Sequence, residues 1–135
     1  MTKEILTADV STVVTEAAKE MAEKNLGFVI VLEKCRPVGL VTERDLLLKV
    51  LAENRDPNKT TLGEVMSTPL LSVDPDSDLL DAAKIMKEHN VRKLPVIRNN
   101  IVYGIITAMD IARHINDYVD HSIKELARYT IPFRF

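Results

Sequence analysis

The sequence predicts an α/β protein made of two copies of one β-α-β-β-α unit. Adding 65 to a position in the first half reaches the same residue in the second, with no gap: Leu6 and Leu71, Asp9 and Asp74, Ala17-Ala18-Lys19 and Ala82-Ala83-Lys84, Met21 and Met86, Asn25 and Asn90, Gly39 and Gly104, Thr42 and Thr107, Asp45 and Asp110. Each half also alternates apolar residues at helical spacing with short runs of branched apolar residues, the pattern of helices laid on a buried sheet. A chain of 135 residues is one ordinary domain. A half of that length alone would bury only about 60% of its unfolded surface, so the two copies are expected to share a core.

The first copy opens with Ile5-Leu6, expected as a short strand. Ser11 or Thr12 is placed to cap a helix in which Val13, Val14, Ala17, Ala18 and Met21 share a face. Asn25 ends it, because asparagine tolerates the left-handed conformation of a helix terminus. Phe28 to Leu32 is a continuous apolar run, expected as a strand buried on both faces. A polar turn, Glu33 to Pro37, precedes a return strand over Val38 to Val41. A second helix is expected from about Glu43 through Leu46, Leu47, Val50 and Leu51, and Asn54 to Lys59 is the connection.

The second copy repeats the scheme. Val65-Met66 and Leu70 to Val73 lead in, and Asp74 to Ser77 turns into a helix with Leu79, Leu80, Ala83 and Met86 on one face. Asp78 and Asp81 lie in its first turns, where the helix dipole favours anions. His89-Asn90 ends it. Leu94 to Ile97 and Ile101 to Ile106 read as a hairpin around Arg98-Asn99-Asn100. Pro95 lacks an amide hydrogen and is expected at a strand start, edge or bulge. The last helix runs from about Met109 to Tyr118. These readings divide the chain into a first repeat, 1–60, a second, 61–119, and a tail, 120–135. The first repeat has no counterpart of Thr61 to Val65, because Met1 aligns with Met66.

The tail has no partner in the first half. Ile123, Leu126 and Ala127 make a short apolar face, and Tyr129 to Phe135 is apolar and aromatic. It reads either as a segment folded back on the core or as a contact surface.

A net charge of −2 gives no strong field and argues against nucleic acid. One cysteine, Cys35, excludes an internal disulfide and a cysteine zinc cluster. No apolar run approaches a membrane span, and Met1 to Glu4 leads into no signal-type apolar core. A soluble cytoplasmic protein is the expectation.

Thr-x-x-Asp before an apolar run is a capping box, in which the threonine accepts from a first-turn amide and the aspartate reaches back. The same geometry suits a ligand. Free amides at a helix start attract anions, a threonine adds a hydroxyl, and an ionised aspartate accepts from a diol. His89, His114 and His121 form no ligand pair with a carboxylate base, and there is neither a nucleophile elbow nor a phosphate loop. No catalytic or metal residue is assigned.

The strings Asp81-Ala-Ala-Lys-Ile-Met86, Val91-Arg-Lys-Leu-Pro-Val96 and Gly104-Ile-Ile-Thr-Ala-Met-Asp110 recur in weaker form as Glu16 to Met21, Leu26 to Val31 and Gly39 to Asp45. Taken in order, and twice, they resemble a tandem pair of CBS (cystathionine beta-synthase) motifs over about residues 1–118. The resemblance implies a pseudo-twofold axis, sheets packed face to face, and two clefts between the repeats. It implies an adenosine nucleotide (AMP, ADP or ATP), with the aspartate on the ribose and the threonine by the phosphates. One cleft would use Asp110, Thr107 and Ile105 with Leu6, Leu26 and Gly27. The other would use Asp45, Thr42 and Leu40 with Met66, Leu71 and Val91. Arg44 and Arg92 would meet phosphate, with Met109 and Gly27 as their counterparts, so the clefts are chemically unequal. The Asp110 cleft is preferred.

The function so implied is regulatory. The module would sense a nucleotide without catalysing a reaction or using a cofactor, and would pair as a homodimer that signals to an effector protein. The rivals are a ligand-free dimerisation or docking module, a binder of S-adenosylmethionine, a nucleic-acid binder, and a regulatory piece cut from a larger enzyme. Arginine at 44 and 92 favours phosphate over an uncharged tail.

Overall fold

The computed structural model describes residues 3–118. The tail, with its aromatic cluster and His121, lies outside the described residues, as do Met1 and Thr2. The elements are β1 (Thr7–Asp9), α1 (Val14–Lys24), β2 (Phe28–Glu33), β3 (Arg36–Thr42), α2 (Glu43–Leu46), which continues as a π-helical turn over Leu47–Leu51, α3 (Leu62–Val65), α4 (Leu79–His89), β4 (Lys93–Arg98), β5 (Ile101–Thr107) and α5 (Ala108–Tyr118). Among the described residues no helix is long and apolar enough to cross a membrane.

The sequence repeat is also a repeat of register. In the first copy β1 runs parallel to β2, and β2 pairs antiparallel with β3 through Phe28 with Thr42 and Val31 with Gly39. In the second copy β4 and β5 pair through Lys93 with Thr107 and Val96 with Gly104, each 65 residues on. Both hairpins carry a bulge at the same place, after Val31 and after Val96, and the extra residues are Val38 and Tyr103. The tight turns also match: Lys34-Cys35 and Asn99-Asn100 all have positive φ, as two-residue hairpin loops with the right twist require.

The copies differ at one strand. Ala8 pairs with Val31 inside a three-residue ladder, whereas the equivalent Val73 meets Val96 in an isolated bridge. Pro95 accounts for this. Its counterpart Ile30 donates its amide to the Leu6 carbonyl, and Pro95 has no hydrogen to give. Of the three expected places Pro95 takes the edge: β4 is one strand of a two-stranded sheet, and Pro95 is buried within it, its carbonyl accepting from Val73 on the side where only that bridge forms.

Three apolar clusters hold the fold. Val29, Val31 and Val41 meet Leu6, Val14, Ala17, Met21 and Val50 under the first sheet, with Leu62 and Val65 of α3. Leu94, Val96 and Ile106 meet Val73, Ala82, Met86 and Ile111 under the second. Between the sheets, Phe28 and Ile30 pack on Ile105, with Ile5, Leu40 and Val102 around them. The alternation of a strand buried on both faces thus divides β2 between a helix-side core and a shared core.

Two helix readings need correction. Neither Ser11 nor Thr12 caps α1. Val13 holds that position without a side-chain bond, and the first amides of α1, at Val14 and Thr15, donate to the carbonyls of Thr60 and Pro57 in the connection. Ser11 instead bonds Asp9 through its amide and hydroxyl, which holds the Asp9 carboxyl below its ordinary value. In α4 the inward residues are Ala82 and Met86, while Leu80 is 76% exposed. Asp78 is the true cap there, accepting from the Asp81 amide, and both Asn25 and Asn90 end their helices in the left-handed conformation.

Candidate functional site

Each Thr-x-x-Asp stands where a strand of the shared core opens into a helix. Thr42 ends β3 and Thr107 ends β5, and in both copies the box is closed. The Asp45 amide donates to Thr42 Oγ1 at 3.3 Å and the Thr42 amide to Asp45 Oδ2 at 2.9 Å. The Asp110 amide donates to Thr107 Oγ1 at 3.1 Å and the Thr107 amide to Asp110 Oδ2 at 3.0 Å. A neighbouring loop is tied to each helix start: the Glu43 amide donates to Gly27 O, and the Ala108 amide to Arg92 O.

Beyond the box the two aspartates part company. The Asp45 side chain is 10% exposed. Its Oδ1 accepts from Ser67 Oγ at 2.9 Å and faces Lys49 Nζ at 3.0 Å, while Oδ2 also accepts from Thr42 Oγ1. Lys49 goes on to the Val65 carbonyl, and Ser67 is bridged to Leu40 by backbone hydrogen bonds. Both oxygens of Asp45 are thus engaged, Oδ2 by Thr42 within its own repeat and Oδ1 by Ser67 of the other repeat and by Lys49. The Asp110 side chain is 18% exposed, and among the described residues its Oδ1 has Arg113 alone, at 3.9 Å, within ion-pair range.

The walls fall into place unevenly. Leu40 and Ile105 face the shared core. Met66 sits on Gly39, where a Cβ would lie 2.5 Å from its sulfur. Leu26 touches both the first core and the shared one. Leu6, however, is buried in the first core, because the alternation of the chain turns Ile5 rather than Leu6 toward Ile105. Leu71 and Val91 pack in the second core for the same reason. Gly27 is hydrogen-bonded to the start of the Asp45 helix rather than the Asp110 helix, and Arg92 adjoins the Asp110 helix. A Cβ on Gly27 would meet Glu43 at 2.2 Å and Lys93 Nζ at 3.3 Å, so this glycine keeps room for two charged side chains where the repeats meet. Arg44 and Arg92 are both exposed.

Lys49, Ser67, Glu43, Lys93 and Ile5 were missed in the sequence. Lys49 had a signal, since it stands four residues after Asp45 on a helix. Ser67 had none, because its contact spans 22 residues. Among the described residues no cluster of three histidine, cysteine, aspartate or glutamate side chains could hold a metal ion.

A family model for the CBS domain matches residues 1–52 and 62–117. The chain belongs to the CBS domain family. It is 37% identical over 112 residues to the CBS domain-containing protein YhcV of Bacillus subtilis, covering 83% of this chain and 79% of that one. It is 31% identical over 125 residues to an uncharacterized protein of Methanopyrus kandleri, covering 91% of this chain but only 63% of the relative's length. Among solved structures, a putative signal-transduction protein with CBS domains from Burkholderia ambifaria superposes with a TM-score of 0.79 at 30% identity, covering 90% and 89% of the two chains. The CBS domain pair of protein MJ0100, solved with 5′-methylthioadenosine and S-adenosyl-L-methionine, superposes with a TM-score of 0.74 at 28% identity, covering 84% and 93%.

Proposed function

We propose that the chain is a regulatory module that binds an adenosine nucleotide, one per chain, at the helix start formed by Thr107 and Asp110. The observation that carries this reading is the contrast between the two aspartates. A ribose diol needs a carboxylate oxygen free to accept, and among the described residues Asp110 Oδ1 faces Arg113 at 3.9 Å with no hydrogen bond of its own. At Asp45 the diol would have to displace Ser67 and Lys49 from a buried carboxylate. The start of α5 adds a positive dipole end for phosphate, and Arg92, whose backbone adjoins that turn, adds a guanidinium.

S-Adenosylmethionine is the second reading, favoured by the complex of MJ0100. Exposed arginines at 44 and 92 favour a phosphorylated ligand over it. Binding regulates by favouring one arrangement of the repeats or of partner chains over another. Leu47, Leu48 and Leu51 are exposed along one helical stretch, and such an apolar strip suits a second copy of the chain. Titration of the protein with AMP, ADP, ATP and S-adenosylmethionine is the test. Saturable binding of a phosphorylated adenosine, weakened by Arg92→Ala, supports the reading. If none of the four binds at millimolar concentration, Thr107 and Asp110 are helix caps and the module acts by docking.

A further inference from the structure

Gly27 stands where the repeats meet, and its missing side chain leaves a place on which two opposite charges converge. Glu43 Oε1 and Lys93 Nζ both lie within 3.3 Å of the point its Cβ would occupy. Glu43 opens α2 and donates its amide to Gly27 O, so this carboxylate belongs to the first repeat, whereas Lys93 is the first residue of β4 in the second. Lys93 is also paired across the hairpin with Thr107. Residues opposite each other in antiparallel strands carry their Cβ atoms about 5 Å apart on one face of the sheet. The Lys93 side chain therefore starts beside the threonine of the Thr107–Asp110 box and ends beside Glu43 of the other repeat. The sister positions hold no such pair. Phe28, buried in the shared core, stands for Lys93, Ala108 for Glu43 and Arg92 for Gly27.

We infer, on the nucleotide reading of the Thr107–Asp110 box, that Glu43 is a built-in competitor for the ligand's phosphate and that Lys93 is the cation for which the two compete. A phosphate beside Thr107 draws the Lys93 ammonium back from Glu43. Lysine suits the exchange, because its charge is compact and rides on a flexible four-carbon stem. Ala108 suits it too, since the start of α5 then carries no carboxylate where α2 carries Glu43. The exchange moves a charge contact from between the repeats to the ligand. Occupancy of the box is thereby tied to how the repeats hold each other, which is the differential interaction that regulation by a ligand requires.

Calorimetric titration of the full chain with AMP, ATP and adenosine tests this in the wild type, Glu43→Gln, Lys93→Gln and the double variant. Glu43→Gln should tighten the nucleotides by about two- to fivefold, the range of an exposed charge pair, and leave adenosine unchanged. Lys93→Gln should weaken the nucleotides by about tenfold, the loss of one charge-assisted contact. It should also abolish the gain from Glu43→Gln, so that the double variant binds as Lys93→Gln does. Equal nucleotide affinity in the wild type and Glu43→Gln, a gain that adenosine shares, or a gain that persists without Lys93 overturns the inference while the nucleotide reading stands. A wild type that binds neither nucleotide overturns both.

Discussion

Asp45 and Asp110 occupy equivalent positions and do different work. Asp45 closes a capping box, pairs with Lys49 one turn on in its own repeat and anchors Ser67 across the repeats. Its replacement by alanine removes the cap and leaves both partners without their acceptor, and should cost about 1–3 kcal/mol. Asp110→Ala loses little beyond the cap and should cost about 1 kcal/mol; denaturant titration of both variants checks the difference. Arg98 supplies a second residue-scale prediction. It bonds Asp74 and Asp76, and its hydrogen bond holds the Asp74 carboxyl below the ordinary 3.8. The stabilisation is therefore complete above that ordinary value and is lost as pH falls through the lower, folded value. In Arg98→Ala a carboxyl NMR titration should find Asp74 moved up toward 3.8. Both Thr-x-x-Asp boxes were legible in the sequence because a capping box is local. The asymmetry between them was not, because it depends on Ser67 and on burial.

The elements were legible where their signals were local. Paired apolar runs gave both hairpins, and asparagines gave both helix ends. The cap of α1 was misread because carbonyls more than forty residues away, at Pro57 and Thr60, do the work of a side chain. Pro95 was known to be awkward, and the structure shows the awkwardness as a first strand reduced to one bridge. Pro95→Ile should restore a donor like that of Ile30. Hydrogen exchange should then find the new amide protected, and no protection would break the account of the missing ladder. Gly39 is a packing requirement: in Gly39→Ala the new Cβ meets Met66 Sδ at 2.5 Å and Cγ at 2.9 Å. A melting experiment should show a loss of about 1–3 kcal/mol, relieved in part by Met66→Ala.

At the scale of the molecule, an internal repeat gives two chances at every site, and divergence assigns them different tasks. Asp45 is held by Lys49 and Ser67, whereas Asp110 lies 3.9 Å from Arg113 with its side chain 18% exposed. The exposed strip of Leu47, Leu48 and Leu51 follows the Asp45 box directly in the chain. On the proposal that this strip pairs two copies, sedimentation should find the wild type dimeric and Leu51→Asp monomeric with the fold intact, because Leu51 is 71% exposed. The central claim is that ligand enters at Asp110 and not at Asp45. It is tested most directly by calorimetric titration of AMP, ADP and ATP into the wild type, Asp110→Asn and Asp45→Asn. The account predicts one site per chain, lost in Asp110→Asn and kept in Asp45→Asn. Binding that survives in Asp110→Asn and disappears in Asp45→Asn contradicts it.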